Sequence, residues 1–370
     1  MTKHIKKKWY SFHTPFHSDN LVHWTGQDIM YKHAELRKED LLSINVNADK
    51  LWEDLIKKNF IDSRGKKLEK LLKIKNPKDL GLNSPDKNNV AFKAIKSVKL
   101  YANQKNYTEE VVNEFLQRLK NILNFGLWMT KRRDGDDYIE TKEGKFPKPY
   151  VPRVCFTELK ISDSLLHADK FGPMGIGFKR LFVLNRIGSP VYYISKFGYH
   201  PIISKNSKFY NPDNKELKDI KPEDINENVA FFKNMSSGRD IQEYITYDLY
   251  DESEWRIIFS ENIKKRIPSN KLKYFIDPKD PSIEEKYRNF YNNLKEDSKP
   301  DYLIPVDEWL SIIIYPNLQI KNASMMDIDI RRSLCKLKCY RKEKILAEGI
   351  PQKEVHNFPI EIGFGALRNI

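Results

Sequence analysis

The sequence predicts an α+β fold built on a mixed, mostly antiparallel sheet. Three observations predict it. Short runs rich in β-branched and aromatic residues recur from residue 150 onward. Helical periods stand between those runs, with no internal repeat. The chain has 370 residues, 40% of them hydrophobic and 12% aromatic, which is enough to bury a sizeable core and excludes a disordered chain.

The elements follow in order. "NLVHWTG" (Asn20 to Gly26) reads as a short strand ending in a turn, and Ala48 to Phe60 as a helix with Leu51, Leu55 and Ile56 on one face. Thr108 to Phe125 carries Val111, Val112, Phe115, Leu119, Ile122 and Leu123 at helical spacing. Thr108 suits the N-cap and Gly126 the C-cap. "RVCFTEL" (Arg153 to Leu159) is a strand, and "SDSLLHADKFG" (Ser162 to Gly172) a short helix. "MGIGFKRLFVL", "SPVYYIS", "EWRIIFS" and "LSIIIYP" are further strands. A basic helix runs from about Asp329 to Glu348, with Ile330, Leu334, Leu337 and Ile345 inward, and "NFPIEI" closes the sheet. Three parts result: residues 1–60 as the first piece of the α+β core, 61–149 as a Lys-rich, largely helical insertion or subdomain, and 150–370 as the main core.

The formal net charge is +14. A polyanion such as nucleic acid, or an anionic cofactor, fits that charge; a Lys-rich surface serving solubility fits it too. Arg331, Arg332, Lys336, Lys338 and Arg341 concentrate it on the C-terminal helix. The odd set Cys155, Cys335 and Cys339 lacks a disulfide framework and points to a reducing compartment. Cys335 and Cys339 would share a helix face without third and fourth ligands, so no metal is predicted. No apolar run reaches membrane-span length and no signal peptide is visible, so the expected location is the cytoplasm.

Four stretches could carry chemistry. His23-Trp24-Thr25-Gly26 ends a strand, where His23 and Thr25 could bond a ribose or phosphate, or simply form a turn. Phe156-Thr157-Glu158 runs into a helix, a way to present a hydroxyl to an anion; Glu158 with Lys160 also matches a nuclease fragment by a common triplet. The glycines of "FGPMGIGF" serve either packing or the close approach of a flat ligand. Alternation in "EWRII" puts Glu254 and Arg256 on one strand face and Trp255 and Ile257 on the other, with Glu252 beside Glu254 if the strand starts early. A carboxylate there could grip a ribose and stabilise an oxocarbenium ion, or form an ion pair with Arg256.

Taken together, Cys155-Phe156-Thr157, His167, Phe171-Gly172, Gly175-Ile176-Gly177-Phe178, Pro190-Val191-Tyr192 and Glu254-Trp255-Arg256 resemble the bacterial abortive phage resistance family AbiGi. The resemblance spans mainly residues 150 to 320, with the His23-Trp24-Thr25-Gly26 segment. It implies antiphage defence beside a partner toxin or antitoxin and leaves activity open. The order of elements is also similar to that of ADP-ribosyltransferases. That second resemblance implies an ADP-ribosyltransferase-like fold and NAD as cofactor. Glu254 would be catalytic with Glu252 and His23. His23, Thr25, Phe156, Thr157, Phe171, Tyr192 and Arg256 would hold the dinucleotide. The long spacing from His23 to Thr157 departs from that pattern unless residues 61 to 150 are an insertion. The two functions left standing are an NAD-dependent toxin or effector acting on nucleic acid or a nucleic-acid-bound target, and a non-catalytic antitoxin or sensor that binds nucleic acid or a partner toxin.

Overall fold

The computed structural model describes residues 20–33, 48–61, 107–131, 138–158, 167–168, 171–194, 198–200, 202–205, 207, 225–234, 253–337 and 359–364. Glu252, Lys338, Arg341, Lys160, Cys339 and Ile345, and most of the helix expected over Ser162 to Gly172, lie outside them.

The first described strand is β1 (Asn20–Thr25), followed by helices α1 (Gln27–His33), α2 (Ala48–Lys57) and α3 (Glu109–Phe125). Next come β2 (Leu127–Met129), β3 (Tyr138–Thr141), β4 (Gly144–Pro147), β5 (Arg153–Glu158), β6 (Met174–Lys179) and α4 (Arg180–Asn185). β7 (Ser189–Pro190) and β8 (Tyr192–Ile194) precede a 3-10 turn, Glu227–Phe231, then β9 (Phe232–Asn234) and β10 (Glu254–Ile258). Helices α5 (Glu261–Lys264), α6 (Ser269–Leu272) and α7 (Glu285–Asn292) lead to β11 (Tyr302–Ile304), β12 (Leu310–Tyr315) and α8 (Leu318–Met326). Residues 328–337 are helical (α9), and β13 (Ile360–Gly363) is the last strand.

Seven strands form the main sheet in the order β13-β12-β6-β1-β5-β10-β7. Only the β12–β13 pair is parallel; the other neighbours are antiparallel. The α+β class and the mostly antiparallel sheet are therefore as the sequence predicts.

Register sorts side chains onto two faces. Leu21 pairs with Glu158 and Phe178, and Trp255 with Phe156, so the odd positions of β1 share a face with Phe156, Ile176 and Ile257. That face is covered by α3, whose Val111, Val112, Phe115, Leu116, Leu119, Ile122 and Leu123 are buried with it in one core. Helix α3 starts and stops where its sequence signals do. Thr108 Oγ1 accepts the Val111 amide at 3.4 Å, and Gly126 takes φ 99°. The helix expected in the 61–149 insertion thus packs on the main sheet, and β2 right after it pairs with β11.

The opposite face carries Val22, Trp24, Thr157, Glu254 and Arg256, with Ile312 and Ile314. There Gly177 and Gly175 make room for aliphatic neighbours: a Cβ on Gly177 would meet Ile312 Cγ2 at 2.0 Å, and one on Gly175 would meet Val22 Cγ1 at 2.9 Å. At the β10 end of the sheet, β8 and β9 pair with each other, and Ile194 and Phe232 join Ile139, Phe146, Ile203, Ile225 and Val229 in a second small core.

Two strands expected from the sequence divide. "MGIGFKRLFVL" is a strand only to Lys179 and then turns into α4, which stacks Phe182 on Phe178 at 3.9 Å. "SPVYYIS" splits into β7, on the main sheet, and β8, which pairs with β9. The apolar stretch around Phe231 is the 3-10 turn, and α9 buries Ile330 and Leu334 as its period requires.

Candidate functional site

The second face of β10 holds the most concentrated chemistry among the described residues. Glu254 is 5% exposed and Arg256 2%. Arg256 grips the carboxylate with both arms of its guanidinium: Nε donates to Oε1 at 2.6 Å and Nη2 to Oε2 at 3.1 Å. Lys233 reaches in from β9 and donates to Oε2 at 2.9 Å. The Glu254 amide donates to the Tyr193 hydroxyl at 3.1 Å, and Arg256 Nη1 donates to the Ala230 carbonyl. The arrangement is a buried triad of one carboxylate and two cations. Burial works against the charged carboxylate, but Arg256 and then Lys233 outweigh it and hold Glu254 well below the usual carboxylate range.

Alternation within β10 acts as the sequence predicts, with Glu254 and Arg256 together; the pair is buried, not a surface pair. Lys233 is the member that the sequence reading missed. Its signal is a lone lysine inside the apolar run "NVAFFKN". Such a lysine needs a carboxylate partner somewhere in the fold.

The other expected site residues divide. Thr157 lies directly across from Glu254 and accepts from Trp24 Nε1 at 3.0 Å. His23 points to the far face, where its Nδ1 donates to the Cys155 carbonyl at 3.0 Å and its ring meets Phe156 edge-on. Thr25 shares that face and receives Arg118 of α3 at 3.0 Å. Phe171 packs with the cluster of Val22, Trp24, Ile312 and Ile314, whereas exposed Tyr192 stacks from outside on Phe232 of the small second core. The sheet therefore stands between His23, Thr25 and Phe156 on one side and Thr157, Glu254 and Arg256 on the other. Both oxygens of the Glu254 carboxylate, expected to meet a sugar, are bonded to Arg256 and Lys233.

Two other places gather charged side chains. On α9, Arg331 is tied to Glu361 by bonds of 2.7 and 3.0 Å, and Arg332 lies 3.8 Å from Asp329; Lys336 is exposed. Near the N-terminal end of α3, ligand atoms of His33, Glu110 and Glu114 come within 4.8 Å of one another, and Lys32 bonds Glu114 in the same place. No helix among the described residues is long and apolar enough to cross a membrane.

No curated protein and no solved structure matches the chain. Thr157, Tyr192, Lys233, Glu254 and Arg256 fall inside one matched stretch, while His23, Thr25 and α9 fall outside it: residues 129–296 match the family described as "Putative abortive phage resistance protein AbiGi, antitoxin".

Proposed function

We propose that the chain acts in abortive phage defence as a non-catalytic, cytoplasmic antitoxin that restrains a partner toxin. The observation that carries this reading is the Lys233–Glu254–Arg256 triad. A carboxylate that performs chemistry needs a face open to substrate, whereas Glu254 is buried with both oxygens bonded to cations. Such a triad locks β9 to β10. The family match over residues 129–296, whose description names an antitoxin, supports the same reading.

The test has two arms. Purified wild type and Glu254→Gln are incubated with labelled NAD, with and without RNA and DNA, and released nicotinamide is measured. The expected result is no release by either; release that depends on Glu254 would make the protein an enzyme and overturn the proposal. The chain is also expressed by itself in a bacterial host. An antitoxin leaves growth unchanged, so growth arrest by the wild type would assign it the toxin role instead.

A further inference from the structure

The strongest unassigned feature is a strip just after β10. From Asn262 to Tyr274 the chain carries Lys264, Lys265, Arg266, Lys271 and Lys273, and no acid. Glu261 and Asp277 flank the strip at either end. Its apolar members face inward: Ile263 and Phe275 are buried, and Ile267 and Leu272 pack on the core. Ser260 caps α5 by accepting the Ile263 amide at 3.1 Å, and Phe275 stacks on Phe259 at 4.0 Å. The cations therefore stand on a fixed support. Lys264, Lys265, Arg266 and Lys273 are exposed and Lys271 half-exposed.

Several cations elsewhere on the described surface are each neutralised by an acid at short range. Lys120 pairs with Asp327 at 2.8 Å, Arg180 with Glu158 at 3.1 Å, Lys286 with Glu284 at 2.9 Å and Arg331 with Glu361 at 2.7 Å. In the strip, Lys264 is 3.8 Å from Glu261, and Arg266 bonds Glu227 at 2.6 Å while staying 61% exposed. Among the described residues, Lys265, Lys271 and Lys273 have no acidic partner. Lys271 and Lys273 instead stand 5.8 and 5.2 Å from the ring of half-buried Tyr274, which is itself held against the Arg186 guanidinium at 4.4 Å.

The chemistry of the strip selects its ligand. A membrane surface would need an exposed apolar anchor beside the cations, and a protein interface would need an apolar centre. No exposed large hydrophobic side chain falls between residues 262 and 274. A row of unneutralised cations with a partly exposed tyrosine is suited to the phosphate backbone of a nucleic acid. We infer that residues 262–274 form a sequence-independent nucleic-acid-binding strip. This inference is independent of the antitoxin reading, because its readout is binding by the purified chain.

The test is fluorescence anisotropy of labelled single-stranded RNA, single-stranded DNA and duplex DNA of about 20 nucleotides with the full chain, between 50 and 200 mM salt. Neutralising about four phosphates predicts an affinity loss of about 100-fold on duplex DNA over that range. Lys265→Glu with Lys271→Glu and Lys273→Glu is expected to weaken binding at least tenfold and flatten the salt slope. The milder Lys→Gln set at the same positions gives an intermediate loss if charge is the cause. Arg332→Glu with Lys336→Glu on α9 is the control and is expected to leave binding near wild type. Equal losses in strip and control variants would overturn the inference, as would salt-independent binding, or equally tight binding to anionic vesicles or poly-glutamate.

Discussion

Glu254→Gln separates a structural carboxylate from a catalytic one by stability. Gln keeps the shape and one acceptor but removes the negative charge, leaving Arg256, 2% exposed, and Lys233 facing each other across a neutral amide. Removing one partner of a buried ion pair costs about 3–5 kcal/mol, and two stranded cations put this site toward the upper end. A loss of that size is about a third to half of the stability of an ordinary domain. Arg256→Met leaves the Lys233–Glu254 pair intact and should cost less. The double variant retains only Lys233, whose side chain is 11% exposed and can reach toward water. Its loss should therefore fall short of the sum of the singles by about 1–3 kcal/mol. The assay is chemical denaturation followed by tryptophan fluorescence, with Trp255 inside β10 and Trp24 bonded to Thr157 as reporters. Catalytic acids are often held at a cost to stability, so a reactive Glu254 predicts a Gln variant as stable as wild type or more so. A Glu254→Gln change within about 0.5 kcal/mol of wild type, or strictly additive losses, would refute the reasoning.

Three further outcomes are expected. Because the folded-state affinity of Glu254 for a proton lies below its unfolded value near 4.3, its contribution is fully present above that pH and is lost as the pH falls through the folded value. Unfolding free energy measured from pH 6 to pH 3 should therefore drop more steeply below about pH 4.3 in wild type than in Glu254→Gln; parallel curves would count against the triad. Gly177→Ala should cost about 1–3 kcal/mol by overpacking against Ile312 Cγ2, and Ile312→Ala should remove most of that extra cost. No loss in thermal melts of Gly177→Ala would sink the close-packing account. Glu227→Gln removes the acid that neutralises Arg266, so it should tighten nucleic-acid binding and raise the salt slope by about 0.9, one phosphate contact's share. An unchanged slope would show that Arg266 adds nothing to the strip.

What the sequence makes legible here is local. The limits of α3 follow from Thr108, Gly126 and one apolar stripe, because cap and period signals act within a single element. The sharing of a face by Glu254 and Arg256 follows from the two-residue period of a strand. The relation of His23 to Glu254 does not, because it depends on register between strands. Val22, not His23, lies across from Thr157, and that choice puts His23 on the α3 side of the sheet. A shift of one residue in that pairing would have brought all three together. Lys233 and Glu254 are 21 positions apart, in strands of different sheets, so no spacing rule links them. The "MGIGFKRLFVL" stretch looks like one strand because its apolar content continues past Lys179. Only the stacking of Phe182 back onto Phe178 explains the turn into α4.

The same distinction governs charge. The basic helix α9 is conspicuous in the sequence, yet Glu361, thirty positions on, takes up Arg331. The strip at 262–274 is less conspicuous, yet three of its lysines have no acidic partner among the described residues. Net charge sets how much field a protein can offer; pairing sets where the field is available. The strip and the triad are also mechanically joined. The turn Glu227–Phe231 accepts Arg256 at the Ala230 carbonyl, while its Glu227 side chain accepts both Ser260, the cap of α5, and Arg266. Glu254 thus holds Arg256 and Arg256 holds the turn. The turn in turn fixes the start of α5, which carries Lys264 and leads into the strip. On the proposed reading, a carboxylate buried in this way would act through position, by setting where the basic strip stands, without contact with a substrate.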